Sequence, residues 1–294
     1  MKKNIAFIIN PISGTSDNKL LPSIIRQYLD LEQFEYEVFF TQKGGDATTI
    51  ATQCVENKFD IVVSVGGDGT MNEIAKSLIH TDSALGIIPA GSGNGLARHL
   101  SIPINVEKAI KHLNNSEIIN IDYGLVNKKP FFCTCGTGFD AYVSAEFAKA
   151  QKRGMITYLE KMVSSYLNYK LQTYRLAGEG VSFENKAFLI TFANASQWGN
   201  NVFIAPEASV QDGLLDVSVI SNFPNIAIPG VLLQLFTKTI HRDLYVTTFR
   251  LKEITLFRES EGPFHLDGEP CDEGKELKIR IVPGGLKIAV KRRF

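Results

Sequence analysis

Cysteine is scarce and scattered in this chain. The 294 residues contain four, Cys54, Cys133, Cys135 and Cys271, with no CxxC pair and no Cys/His cluster. That spacing excludes a zinc-ribbon type of site. Four cysteines in so long a chain make no disulfide framework, and a reducing, cytoplasmic compartment fits best. An excess of one charge is also missing: Lys plus Arg is 31 and Asp plus Glu is 31, which argues against a nucleic-acid binder, normally strongly basic. No apolar run reaches the roughly 20 residues of a membrane-spanning helix. The N-terminal MKKNIAFIINPISG carries only a short apolar run, Ile5 to Ile9, too short for a signal-peptide core. The five histidines, His80, His99, His112, His241 and His265, show no ligand spacing and read as surface or core residues. There is no internal repeat and no low-complexity tract.

What is present is a change of texture near Asp122. Before it, short apolar runs alternate with helix-like segments: NIAFIIN, KLLPSIIRQYLDL, EYEVFFTQ, GDATTIATQCVENK with Asp46 as its expected N-cap, DIVVSVGGDGT, MNEIAKSLIH, ALGIIPAGSGN and GLARHL. Strands separated by helices of this length imply a parallel sheet covered on both faces, whose ligands bind at the carboxyl ends of the strands. After Asp122 the patterns alternate as strands do (AFLITFANAS, LLDVSVIS, YVTTFRLKEITLFR, ELKIRIVPGGLKIAV), with a helical stretch expected from about Ala141 to Leu171. The expected fold is an α/β N-terminal domain, residues 1–122, and a mostly antiparallel β domain, residues 123–294, whose last strand can return to the first domain.

Three glycine-bearing loops follow strands of the first domain: NPISG (Asn10 to Gly14), GGDGT (Gly66 to Thr70) and PAGSGNGLA (Pro89 to Ala97). Glycine lets backbone amides approach an anion, and a helix N-terminus adds partial positive charge. Three such loops at one sheet edge suit a phosphate-rich ligand. Neither the P-loop GxxxxGK pattern nor the dinucleotide GxGxxG occurs. Each loop alone could be a tight turn, Asp68 a cap, and the Asp-Gly pairs of the second domain ordinary hairpin turns.

The series VGGDGTMNE and PAGSGNGLAR, preceded by NPISG and followed by IAPEASVQDGLLDV and FHLDGEP, resembles the diacylglycerol kinase catalytic domain superfamily, which includes bacterial lipid kinases and sphingosine kinases. The five motifs stand in the family's order along nearly the whole chain. The resemblance implies an ATP-dependent lipid kinase with a fold like that of NAD kinase and phosphofructokinase. It places ATP against Asn10, Pro11, Ser13, Gly14, Thr41, Gly66, Gly67, Asp68, Gly69, Thr70, Glu73 and Ser92, with Asp68 managing Mg²⁺. It draws the catalytic carboxylates from Glu269, Asp267 and Asp68, one of which takes the acceptor proton. Ser209, Asp212 and the carbonyl of Leu214 look like a second, structural metal site. Asp216 is expected to face elsewhere. GSGNGLA departs from the commoner G-T-x-N-D-F-A towards the sphingosine kinase form, which leaves the acceptor open among diacylglycerol, a sphingoid base, a ceramide and phosphatidylglycerol. An NAD kinase-like enzyme and a non-catalytic nucleotide-binding regulator are the alternatives. The expected partner is a lipid at the inner membrane face, met peripherally by a cytoplasmic protein, with no nucleic acid and room for a homodimer. The basic, aromatic stretch Phe147 to Leu176 could rest on an anionic bilayer or pack as a solvated helix.

Overall fold

The computed structural model describes residues 2–14, 20–148, 166, 169–178 and 180–291. The chain divides into two compact units, Met1–Ile121 with Gly284–Phe294, and Asp122–Pro283.

In the first unit four strands, β1 (Lys3–Ile9), β2 (Phe34–Phe40), β3 (Ile61–Gly66) and β4 (Ala84–Pro89), pair in parallel in the order β4-β3-β1-β2. β3 and β4 are buried at every residue, the continuous apolar pattern of strands covered on both faces. The helices are α1 (Leu21–Tyr28), α2 (Asp46–Glu56), α3 (Asp68–Leu78), α4 (Gly95–His99) and α5 (Val106–Asn114). α2 packs on α3 and α1 on α5. Asp46 is not the N-cap of α2. Gly45 takes that place in the left-handed region, where a residue without Cβ is least strained. The Asp46 carboxylate turns back to accept from the amides of Gln42 (2.8 Å) and Lys43 (3.0 Å). α3 starts at Asp68, three residues before the Met71 read from the sequence, because the GGDG loop closes directly into its first turn.

The second unit is antiparallel. Its strands are β5 (Glu117–Val126), β6 (Lys129–Phe131), β7 (Thr134–Gly138), β8 (Gln172–Gly178), β9 (Val181–Ala193), β10 (Leu215–Ser221), β11 (Val246–Leu251), β12 (Glu253–Arg258), β13 (Gly262–Leu266), β14 (Glu269–Glu273) and β15 (Glu276–Val290). The path runs β14-β13-β7-β9-β8-β12-β15, and β10 pairs with β9 and β11. β5 and β15 continue into the first unit, where Ile288 of β15 pairs in parallel with Leu85 of β4. One core cluster gathers Phe131, Tyr174, Phe192, Phe264 and Leu277. A second gathers Leu189, Ile204, Ile220, Val231, Leu235 and Ile240.

Among the described residues two α-helices belong to this unit. α6 (Phe139–Ala148) opens the helical stretch expected to Leu171. Residues 149–165, 167 and 168 of that stretch, with most of its basic side chains, lie outside the described residues. α7 (Ile228–Thr237) falls where only strands and turns were expected. Among the described residues no helix is long and apolar enough to cross a membrane.

Candidate functional site

β1, β3 and β4 are neighbours pointing the same way, so the three glycine loops leave the sheet at one edge. Asn10 closes the first loop. Its backbone amide donates to Val65 O (3.0 Å), its side chain donates to Thr70 Oγ1 (3.1 Å), and its Oδ1 accepts from Ile12 N (3.1 Å). Ser13 Oγ donates to the carbonyl of Asn10 (2.9 Å). Gly14 has φ +71°, and a Cβ there would sit 2.3 Å from Ala90 O, so this position rejects any side chain. A Cβ on Gly91 would lie 2.4 Å from Gly67 Cα; the GGDG and GSG loops touch backbone to backbone.

Asp68 joins these two loops. Its Oδ2 accepts from Asn94 N (2.7 Å) and its Oδ1 from Gly95 N (2.8 Å). Asn94 and Gly95 open α4, whose N-cap, Asn94, makes no side-chain cap of its own, so Asp68 satisfies the free amides of that helix end. Burial pushes the Asp68 carboxyl up, and the amides of Gly95, Asn94 and Asp68 itself, with Arg98, oppose the rise. The Asn94 side chain turns the other way, accepting from Gly91 N (3.2 Å) and donating to Gly91 O (2.8 Å). Thr41 is buried beside the end of β1, its amide donating to Ile9 O (3.0 Å). Both oxygens of Glu73 accept from Gly45 N, each at 3.1 Å. Pro11 and Ser92 are exposed, Ser13 and Gly69 half-buried, and Thr70 buried.

In the second unit HLDGEP forms the tip of the β13–β14 hairpin. Leu266 pairs with Glu269 across a two-residue turn of Asp267 (φ +50°) and Gly268 (φ +82°), the signature of a type I′ hairpin. The two carboxylates part company there. Asp267 Oδ1 accepts from Cys133 N (2.7 Å) and Thr134 N (3.1 Å), and its Oδ2 from Phe132 N (2.9 Å). It is a clamp on the backbone entering β7. Glu269 is exposed, and among the described residues no donor engages its carboxylate.

Below the turn lies a polar group missed in the sequence. His265 is buried, with Nδ1 accepting from Gly268 N (3.4 Å) and Nε2 3.1 Å from Asp140 Oδ2. The amide at Nδ1 selects the tautomer with the proton on Nε2, which then donates to Asp140. Thr191 Oγ1 also donates to Asp140 Oδ2 (3.3 Å). Gly136 makes room for this group, since a Cβ there would come within 2.9 Å of Asp140 Oδ2 and 2.6 Å of Ile190 O. Arg258, also unforeseen, braces the hairpin's open end. It is buried, and its guanidinium donates to the carbonyls of Gly262, Pro263, Glu273 and Gly274. Burial lowers its pKa. His265 stands inside HLDGEP, but its partner Asp140 and the distant Arg258 belong to no motif, and only the folded register brings them to the turn.

Ser209, Asp212 and Leu214 do share one loop, but the set does not fit a metal ion. Asp212 Oδ1 accepts from Leu214 N (3.0 Å), Ser209 Oγ accepts from Gln211 N (3.3 Å), and Asp212 Oδ2 is paired with Arg250 NH2 (2.5 Å). The guanidinium already supplies the positive charge, and a cation beside it would be repelled. Among the described residues no cluster of three or more His, Cys, Asp or Glu side chains is arranged to hold a metal. Asp216 does not face elsewhere: it is the cross-strand partner of Arg250, with Oδ1 3.2 Å from Arg250 Nε.

Burial pushes the Asp216 carboxyl from 3.8 up to about 6; Arg250 opposes this, while Asp212 and Glu207 add to it. Between those two values the folded chain binds more protons than the unfolded chain. The group's contribution to stability therefore falls as pH rises through that window and is level above it. Asp216→Asn is expected to gain stability relative to the parent across the same window. Urea unfolding of both proteins at steps between the two values checks this, and parallel curves would dismiss it. The same unfolding with chelator present is expected to leave the parent's midpoint unmoved.

Comparison with known proteins bears on both units. Residues 4–126 match the diacylglycerol kinase catalytic domain, and residues 133–290 match the YegS C-terminal NAD kinase beta sandwich-like domain. A Yersinia enterocolitica protein named "Probable lipid kinase YegS-like" is 28% identical over 254 residues, covering 84% of each chain. A Staphylococcus saprophyticus protein named "Diacylglycerol kinase" is 26% identical over 275 residues, covering 92% of this chain and 90% of that one. A solved structure described as a diacylglycerol kinase from Bacillus anthracis superposes with a TM-score of 0.73 at 20% identity, over 98% of this chain and 97% of the other. At that identity the likeness is one of fold.

Proposed function

The chain belongs to the lipid kinase family built from the diacylglycerol kinase catalytic domain and the YegS C-terminal domain, and from that premise we propose that it transfers the γ-phosphoryl group of ATP to the hydroxyl of diacylglycerol. ATP as donor goes with the kinase family. The diacylglycerol acceptor is supported by the printed name of the Staphylococcus saprophyticus relative, which is similar over nearly its whole length.

The observation that carries the chemistry is the division of labour in HLDGEP. Asp267 is occupied by three backbone amides, while Glu269 stands exposed beside it on the same turn. Glu269 takes the proton of the acceptor hydroxyl as its oxygen forms a bond to the γ-phosphorus. The bond from that phosphorus to the β,γ-bridging oxygen breaks, and ADP leaves with the electron pair. The loop amides around Asn10, Gly66 to Thr70 and Ser92 receive phosphate oxygens, and Asp68 holds two of these loops in register. Mg²⁺ would travel on the nucleotide and neutralise phosphate charge there. Asp68, with both oxygens engaged by amides, fits the role of cap better than that of metal ligand. In this reading the protein works at the inner face of a membrane as a peripheral, cytoplasmic enzyme.

The test is thin-layer separation of products after incubation with labelled ATP, Mg²⁺ and a panel of diacylglycerol, sphingosine, ceramide, phosphatidylglycerol and NAD. Labelled phosphatidic acid as the main product is expected. A main product from the sphingoid base or ceramide would move the acceptor towards the form that GSGNGLA suggests. Labelled NADP would remove the lipid acceptor altogether.

A further inference from the structure

Five of the eleven exposed large hydrophobic side chains among the described residues fall within one short stretch of the second unit: Ile226 at 91% exposure, Leu232 at 42%, Leu233 at 64%, Phe236 at 56% and Leu244 at 97%. We propose that this face, centred on α7, is the surface the protein lays on an anionic lipid bilayer. The proposal rests on the lipid kinase reading, because an acceptor dissolved in a membrane has to be reached from its surface.

The segment IPGVLLQLFT has no charged residue. Pro229 fits the first turn, where its missing amide costs nothing. Val231 and Leu235, four residues apart, are buried with Ile204, Ile220 and Ile240 and fix which side faces in. Leu232, Leu233 and Phe236 are left pointing out. A helix on a water-exposed surface normally carries polar residues there, and an apolar outer face marks a contact with something else. Its footing is firm. Phe223 packs on Phe188 (5.2 Å between ring centroids) and on Tyr245 (6.1 Å), and Phe188 and Phe223 flank the cluster under the helix.

The charges around the face choose the partner. From Ile226 to Arg242 there is no Asp or Glu, while Lys238, His241 and Arg242 gather at the far end. Lys238 and Arg242 are exposed, and Lys238 Nζ lies over the Phe203 ring, 4.5 Å from its centroid, at the edge of the apolar patch. Two carboxylates lie nearby. Asp243 accepts from Tyr245 N (2.8 Å) within its own loop, and Glu207 faces His241 at 3.8 Å. An apolar patch with a basic rim matches the layering of an anionic membrane, with headgroups outside and acyl chains within. A second copy of the chain fits less well, because a two-fold contact sets a patch against itself and would bring like-charged rims together.

The test uses the full chain and sedimentation with vesicles of phosphatidylcholine, alone or mixed with phosphatidylglycerol. The double substitution Leu233→Glu with Phe236→Glu alters only exposed positions, and circular dichroism checks its fold. Vesicle partitioning is expected to fall by about tenfold or more, since two apolar side chains no longer enter the acyl boundary. Turnover of a short-chain diacylglycerol dispersed as monomers should stay at the parent's level. Lys238→Glu with Arg242→Glu is expected to reduce binding to the mixed vesicles more than to phosphatidylcholine alone. Parent-like partitioning by the Leu233/Phe236 variant overturns the proposal, as does a parent that does not bind vesicles. A parent dimer that this variant converts to monomer, with vesicle binding unchanged, would also overturn it in favour of self-association. A parent that binds vesicles through this face but phosphorylates no short-chain lipid would refute the acceptor and leave the docking surface standing.

Discussion

Glu269→Gln is expected to lower phosphoryl transfer about 10²–10⁴-fold while leaving nucleotide affinity and the thermal midpoint unchanged. Glutamine keeps the length and shape of the side chain and cannot accept the proton. The position is exposed at the start of β14, so its loss disturbs no packing. Asp267→Asn should behave differently, although the motif places the two residues side by side. The Asp267 carboxylate receives the amides of Phe132, Cys133 and Thr134. An asparagine offers one oxygen and sets an NH₂ group against the remaining amides, and each partly buried donor left unmade costs about 1–3 kcal/mol. That variant should melt earlier, with turnover falling because the turn has shifted. Turnover, nucleotide binding and thermal midpoint of both variants separate the roles. A Glu269→Gln protein of normal activity, beside an inactive Asp267→Asn protein of normal stability, would make Asp267 the base.

How much of this was legible in the sequence depended on whether the information was local. Three of the four parallel strands of the first unit, β1, β3 and β4, are short, mainly apolar runs that lead into glycine-bearing loops, and such runs announce themselves, while β2 (FEYEVFF) alternates apolar and polar residues. The three loops could be placed at one edge because parallel strands share a direction, and that follows from the alternation of strand and helix. The five motifs carried the family. The helix α7 could not be seen. Its sequence is apolar on nearly every side, so no periodicity distinguishes helix from strand, and Pro229-Gly230 reads as a breaker although proline is well placed in a first turn. The ion pair at Asp212 was hidden for a distant reason. Arg250 lies 38 residues away in sequence and reaches the site only through the pairing of β10 with β11. His265 and Asp140 are 125 residues apart, and nothing in their spacing hints at contact. Asp68 is the intermediate case: its place in the motif marked it, but its partners follow from the loops touching.

Those partners set the second large effect. Asp68→Asn is expected to reduce turnover by about 10²-fold, and increasing Mg²⁺ should not restore it. In the parent, one carboxylate oxygen takes Gly95 N and the other Asn94 N, so a single side chain fixes the start of α4 and holds the GSGN loop against GGDG. Asparagine can satisfy only one of these amides. Its NH₂ group must face the other, and the negative charge that suits a helix N-terminus is lost. The contact between Gly67 and Gly91 leaves no space to absorb the mismatch, since even a Cβ on Gly91 would overlap Gly67 Cα at 2.4 Å. The loops must therefore separate, and if their amides receive phosphate as proposed, a displacement of about 1 Å can cost a factor of 10² in rate. Because the lost interactions belong to the folded protein without nucleotide, the thermal midpoint of the free enzyme should fall as well. A residue that acted only as a Mg²⁺ ligand would give the opposite pair of results. The midpoint of the free protein would hold or rise as a buried charge was removed, and turnover would recover at high Mg²⁺. Measuring the midpoint without nucleotide, and turnover along a Mg²⁺ titration, distinguishes the two, and recovery of activity with an unmoved midpoint would return Asp68 to the metal.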